Sequence, residues 1–171
     1  GALDVATDVD HTVIIGKKAG EGNMTSAAEG TIAIGYQAGA NITSGAGNLA
    51  IGYEAMKDNT TGAQNTAIGY QAMHHAVPGG ATPSFNVYIG YKAGFYMDDG
   101  ASNTAIGHLA MLGNSSEAND GANNIAIGRS SLLSLTDGYQ NVMVGDYTGD
   151  AITTGQNNTA LGYAALSAED T

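Results

Sequence analysis

Residues 62–73 read Gly62-Ala63-Gln64-Asn65-Thr66-Ala67-Ile68-Gly69-Tyr70-Gln71-Ala72-Met73, and variants of this phrase return along the chain. The glycine that closes the Ile-Gly step recurs at Gly16, Gly35, Gly52, Gly69, Gly90, Gly107, Gly128, Gly145 and Gly162. Successive spacings are 19, 17, 17, 21, 17, 21, 17 and 17 residues, a base period of 17 with three small insertions. Such regularity predicts a solenoid, because one short unit cannot bury its own apolar face whereas stacked neighbours can. It also argues against an enzyme, since a ladder of like residues does not build an asymmetric active site.

The whole of 1–171 reads as one repeat domain, with 1–11 as a leader, 12–166 as nine coils and 167–171 as a truncated exit. Around each ladder glycine the residues alternate with period 2, the signature of a strand. Thr66, Ile68 and Tyr70 share one side, and Ala67 and Gly69 the other. The expected fold is therefore all-β, a parallel β-roll or β-helix of about nine 17-residue coils. The aliphatic set, such as Ile32/Ile34 and Leu49/Ile51, is expected inside, with the tyrosines pointing inward or to a coil corner. The small set, Ala33, Ala50, Ala67, Ala105, Ala126 and Ala160, is expected to let another backbone approach, as at a trimer interface.

Asparagine stands four residues before the glycine at Asn48, Asn65, Asn86, Asn103, Asn124, Asn141 and Asn158. Stacking would set these amides in a hydrogen-bonded column, each bond contributing about 0.5–1.5 kcal/mol net. Gly45, Gly62, Gly100, Gly121, Gly138 and Gly155, seven before the ladder glycine, are expected at turns of positive φ. A second, shorter strand is expected after each ladder glycine. The Gly-x-x-Asn spacing is no phosphate loop, since neither a helix nor a lysine follows in the required place.

Composition narrows the function. The chain has 26 glycines, two phenylalanines and no tryptophan. Burying one aliphatic side chain contributes about 1.5–3 kcal/mol, against about 1–2 kcal/mol of backbone entropy per ordered residue. So thin a core favours oligomerisation. The net charge of −11, with only five Lys and Arg, argues against nucleic acid, which needs a positive stripe. No apolar run approaches 18 residues, so membrane insertion is not expected. Without cysteine there is no disulfide or thiolate metal site. No cofactor and no metal are expected.

The Asn-Thr-Ala-Ile-Gly-Tyr-x-Ala ladder with its Thr-Thr-Gly loops resembles repeats of bacteriophage tail fibres and related tail adhesins. It is also similar to the head repeats of trimeric autotransporter adhesins, whose coil is shorter. The resemblance spans 12–166 and implies an extended homotrimer in the virion, joined to other tail-fibre segments and attaching to a bacterial cell-surface glycan or protein. The head of a bacterial surface adhesin is the alternative. Ice binding would need a regular threonine column, and a glycan depolymerase would need acidic pairs.

Recognition is expected where the repeat breaks, in the loops 73–86 and 111–124. His74, His75, Phe85 and Tyr96 are the candidate receptor contacts. A drifting surface loop is the rival reading. His74-His75 is a poor metal site, because no carboxylate accompanies the pair in sequence. Asp98, Asp99, Asp146 and Asp150 form no calcium loop and are expected to be solvated turn residues.

Overall fold

The computed structural model describes residues 11–75, 83–115 and 119–167. Parts of both candidate loops, 76–82 and 116–118, lie outside the described residues, as do 1–10 of the leader and 168–171 of the exit. Nine three-residue strands form one parallel sheet in chain order: β1 Val13–Ile15, β2 Ile32–Ile34, β3 Leu49–Ile51, β4 Thr66–Ile68, β5 Val87–Ile89, β6 Thr104–Ile106, β7 Ile125–Ile127, β8 Val142–Val144 and β9 Thr159–Leu161. Like pairs with like, as in Ala50 with Ala67 and Ile51 with Ile68. The fold is a β-solenoid, roughly 40 Å long at about 4.8 Å per step. Among the described residues a single 3-10 turn, Ser26–Ala28, lies in the first insertion.

The ladder glycines have φ between 124° and 141°. Their backbone conformation alone selects glycine. Stacking selects it again: a Cβ on Gly69 would collide with the carbonyl oxygen of Gly90, and each ladder glycine up to Gly145 meets the next one in the same way. The glycines seven residues earlier need no positive φ. There the reason is space alone, because a Cβ on Gly45 would strike the carbonyl oxygen of Gly62.

The asparagine column is present and buried. Asn48 Oδ1 accepts hydrogen bonds from the Asn65 backbone N–H (3.0 Å) and Nδ2 (3.2 Å), and Asn65 Oδ1 serves Asn86 in the same way. From Asn48 to Asn141 each Nδ2 also donates to a carbonyl of the next coil, Asn48 to Gly62 (2.7 Å) and Asn86 to Gly100 (2.9 Å). Over that span, from Asn48 to Asn141, each amide is thereby satisfied inside the fold. No second strand forms after the ladder glycine. The residues two and four places on, such as Gln71 and Met73, have φ of 53° and 50°, which curls the chain into turns. These turns still bond coil to coil, as in Met56 N–H to Ala72 O (2.9 Å).

The facing is the reverse of the sequence expectation. Ala33, Ala50, Ala67, Ala105 and Ala126 have no exposed surface, and Ala160 is buried too. They point into their own coil and cannot meet a partner subunit there. The aliphatic residues on either side of each alanine point out. The tyrosine column is outward as well, with Tyr36, Tyr53, Tyr70 and Tyr91 each about two-fifths exposed.

A coil this thin holds few large side chains, and volume is traded between two fixed places. Where the strand centre is Ala50, Ala67, Ala105 or Ala126, the residue six further on is Met56, Met73, Met111 or Leu132, all buried. Where the centre is Ile14, Tyr88 or Met143, that residue is Gly20, Gly94 or Gly149. A Cβ on Gly94 would lie 2.7 Å from the Tyr88 ring. Coil 2 pairs Ala33 with Gly39, and Ile42 fills the space instead. The trade can be tested. Gly94 and Met56 share the left-handed backbone (φ 61° and 54°), so Gly94→Met reports packing alone. We expect it to destabilise by about 1–3 kcal/mol through overpacking. Tyr88→Ala alone should cost about 3–5 kcal/mol. The double variant should recover at least 1 kcal/mol over the additive sum in denaturant melts, as coupled neighbours do.

Candidate functional site

Three columns on the turn side of coils 3 to 5 converge. Counting from the ladder glycine, Glu54, Gln71 and Lys92 share one phase, Lys57, His74 and Phe95 a second, and Asp58, His75 and Tyr96 a third. Stacking therefore brings residues 17–21 apart into contact. Gln71 Nε2 donates to Glu54 Oε2 (2.7 Å), His74 Nε2 lies 3.2 Å from the same oxygen, and Lys57 Nζ lies 3.4 Å from Oε1. The His74 ring stacks on Phe95 at 4.8 Å and 4°, and Phe95 meets Tyr96 edge-on at 4.6 Å. Lys92 Nζ sits 4.7 Å above the Phe95 ring. His75 tilts against Tyr96 and its Nδ1 lies 3.5 Å from Asp98 Oδ1.

Of the four sequence candidates, the structure gathers His74, His75 and Tyr96 into this cluster. Phe85 belongs to a different column, with Gln64 and Ser102; it is exposed, at φ 63°. The histidines do have carboxylate partners, Glu54 and Asp98, which come from neighbouring coils. Asp98 is buried and is not a solvated turn residue. Glu54, Gln71, Phe95 and Asp98 were missed by reading the loop alone. Aligning the chain by phase relative to the ladder glycine finds the first three. Among the described residues no three His, Asp or Glu side chains gather closely enough to hold a metal ion.

Packing consumes most of this cluster. Phe95 and Glu54 are nearly covered, which leaves His75 and Tyr96 as its outward part. The tyrosine column is likewise self-satisfied. Tyr36, Tyr53, Tyr70, Tyr91 and His108 stack in one file with centroids 5.0–5.4 Å apart. Each inner ring has both faces occupied by neighbours, so the file offers edges and hydroxyls to solvent rather than a flat platform for a sugar.

Burial pushes the His74 pKa below its ordinary 6.5, although Asp58 and Glu54 pull it up. Burial alone would raise Glu54; the Gln71 hydrogen bond and the Lys57 charge outweigh it and hold the carboxyl below its usual value. A histidine whose folded pKa is depressed binds its proton first in the unfolded chain. Stability is thus lost as pH falls below about 6.5. His74→Gln should flatten the decline of Tm between pH 7 and pH 5; an unchanged slope would remove His74 as its source.

Compared with protein-family models, characterised proteins and solved structures, the chain matches none.

Proposed function

We propose that the chain is a structural and receptor-binding segment of a bacteriophage tail fibre, assembled as a homotrimer and attaching to a bacterial cell-surface glycan or protein. One observation carries this reading. The outer face of the sheet carries two columns, the first aliphatic or threonine from Val13 to Thr159 and the second unbroken aliphatic from Ile15 to Leu161, on a coil whose interior is already filled. A water-facing sheet normally carries polar residues on its outer side. Here isoleucine, valine and leucine occupy the second column without exception. A contiguous apolar stripe along a rod marks an interaction surface. The resemblance to tail-fibre repeats supports two further copies as the partner. The alanine face is excluded from that role, so the subunit contact is assigned to the Ile/Tyr side.

Receptor contact is assigned to the outward edge of the turn cluster, His75 and Tyr96. An ice-binding face is disfavoured: threonine holds only Thr66, Thr104 and Thr159 among the nine positions of the first column, and tyrosine rings stand beside it. Light scattering should give three times the chain mass. Ile68→Lys with Ile106→Lys should shift it to monomer with the far-UV spectrum retained, whereas Ala67→Leu should overpack the coil and lower Tm by several degrees. A folded, trimeric Ile68→Lys/Ile106→Lys variant would overturn the assignment of the face. His75→Ala with Tyr96→Ala should leave the mass unchanged and weaken adsorption to host cells at least tenfold.

A further inference from the structure

The tyrosine file brings four like reactive side chains together in consecutive coils. Tyr36, Tyr53, Tyr70 and Tyr91 each follow a ladder glycine, so they repeat at the coil spacing. Their centroids lie 5.2, 5.0 and 5.4 Å apart, and successive planes are 18°, 5° and 12° from parallel. Rings 17 to 21 residues apart in sequence are thus fixed neighbours. All four are about two-fifths exposed, so their edges are open to a dissolved reagent.

Composition makes this file the preferred place to lose an electron. Thiols and indoles give one up ahead of a phenol, and the chain has neither cysteine nor tryptophan. Thioethers are a further sink, but all six methionines are buried. The other tyrosines are set differently. Tyr88 has no exposed surface. Arg129 sits 4.6 Å from the centre of the Tyr147 ring, where a cation opposes removal of an electron. Tyr147 and Tyr163 meet edge-on at 6.0 Å and 81°. Tyr96 meets Phe95 and His75 rather than a second phenol.

We infer that the file is a site of oxidative cross-linking, at which a peroxide-driven one-electron oxidant joins neighbouring tyrosines of one chain as dityrosine. Each phenol loses its O–H hydrogen, as one electron and one proton, and becomes a phenoxyl radical. Two adjacent radicals pair their electrons in a new bond between ring carbons ortho to oxygen. The hydrogens displaced from those carbons move to the oxygens and restore both phenols. One hydrogen peroxide takes up the two electrons and two protons and leaves as two waters. Because the partners are already held together, coupling is unimolecular in the chain and does not wait for an encounter. Exposed side chains reorient in picoseconds to nanoseconds, which lets the two edges close from the stacked spacing. Tyr53 and Tyr70, the closest and flattest pair, are the first to couple. A bond there staples coil 3 to coil 4, and one from Tyr70 to Tyr91 closes the 73–86 loop. Such a staple constrains the unfolded chain as a disulfide does, in a protein that has no cysteine. The coupling is within one chain, so it does not depend on the tail-fibre reading.

The 171-residue chain, treated with a haem peroxidase and hydrogen peroxide and then digested with trypsin, gives a direct readout by mass spectrometry. Trypsin cuts after Lys18, Lys57, Lys92 and Arg129, which puts Tyr36 and Tyr53 on peptide 19–57 and Tyr70 and Tyr91 on peptide 58–92. A Tyr53–Tyr70 bond therefore joins two peptides, at their summed mass less two hydrogen atoms. This species should appear together with blue dityrosine fluorescence. It should exceed links to peptide 130–171 by about tenfold or more, and its fractional rate of formation should not change on dilution. When isotope-labelled and unlabelled chains are unfolded and refolded as one mixture before oxidation, joined peptides should be both labelled or both unlabelled. Tyr53→Phe keeps a ring that stacks and should abolish the species, whereas Tyr147→Phe should leave its yield unchanged. Joined peptides of mixed label, a Tyr53→Phe chain that still forms them, or an oxidised parent in which the two peptides stay separate overturns the inference.

Discussion

The close approach of one ladder glycine to the next is the constraint on which the rest of the structure depends. It works through two independent demands, a positive φ and the absence of a Cβ, and both recur at every coil. Because the backbone bends at the same place each time, nine strands three residues long stay in register over eight steps. Strands so short would be marginal alone; here the turns contribute their own coil-to-coil bonds. The asparagine column locks the same spacing from the other side of the strand, and the tyrosine file repeats it a third time at 5.0–5.4 Å. Three chemistries with one period explain how the chain absorbs insertions of two and four residues without losing phase.

That spacing was legible in the sequence. The 17-residue count, the strand around each glycine, the parallel stacking and the asparagine column all follow from periodicity and from the need to satisfy buried amides. The direction in which the strand faces was not. Hydrophobicity alone sends isoleucine inward, but the inside of a coil is bounded by its own turns. A central Ala67 leaves room for Met73, and a central Tyr88 leaves room only for Gly94. Interior width is a property of the closed coil, set by the left-handed residues two and four places past the glycine, such as Gln71 and Met73. No local pattern announces it, because residues of many types accept that conformation when the surrounding bonds require it. The signal that existed was the reciprocal change of size at two positions six residues apart.

The turn cluster shows the same division. Its histidines stood out because they are rare and adjacent, but their partners are one coil away and become visible only when the chain is folded onto its period. Glu54 meets His74 across 20 residues of sequence and one step of the solenoid. His74, at the start of the 73–86 loop, is therefore held by residues of the regular coils. His74 stacked on Phe95 and bonded to Glu54 fixes where the chain leaves the coil.

The inverted facing also changes how the thin core is to be weighed. If the aliphatic columns lay inside, a partner would be needed only to supplement a weak interior. With alanine and methionine inside, the interior is small but complete, and the six methionines are all buried in it. The apolar surface left over is then the outer face, whose exposure stabilises nothing in the single chain. An exposed aliphatic column in water is a template for association. In the proposed trimer, assembly serves less to rescue folding than to remove this face from water, and the residues it would cover are the isoleucines rather than the alanines between them.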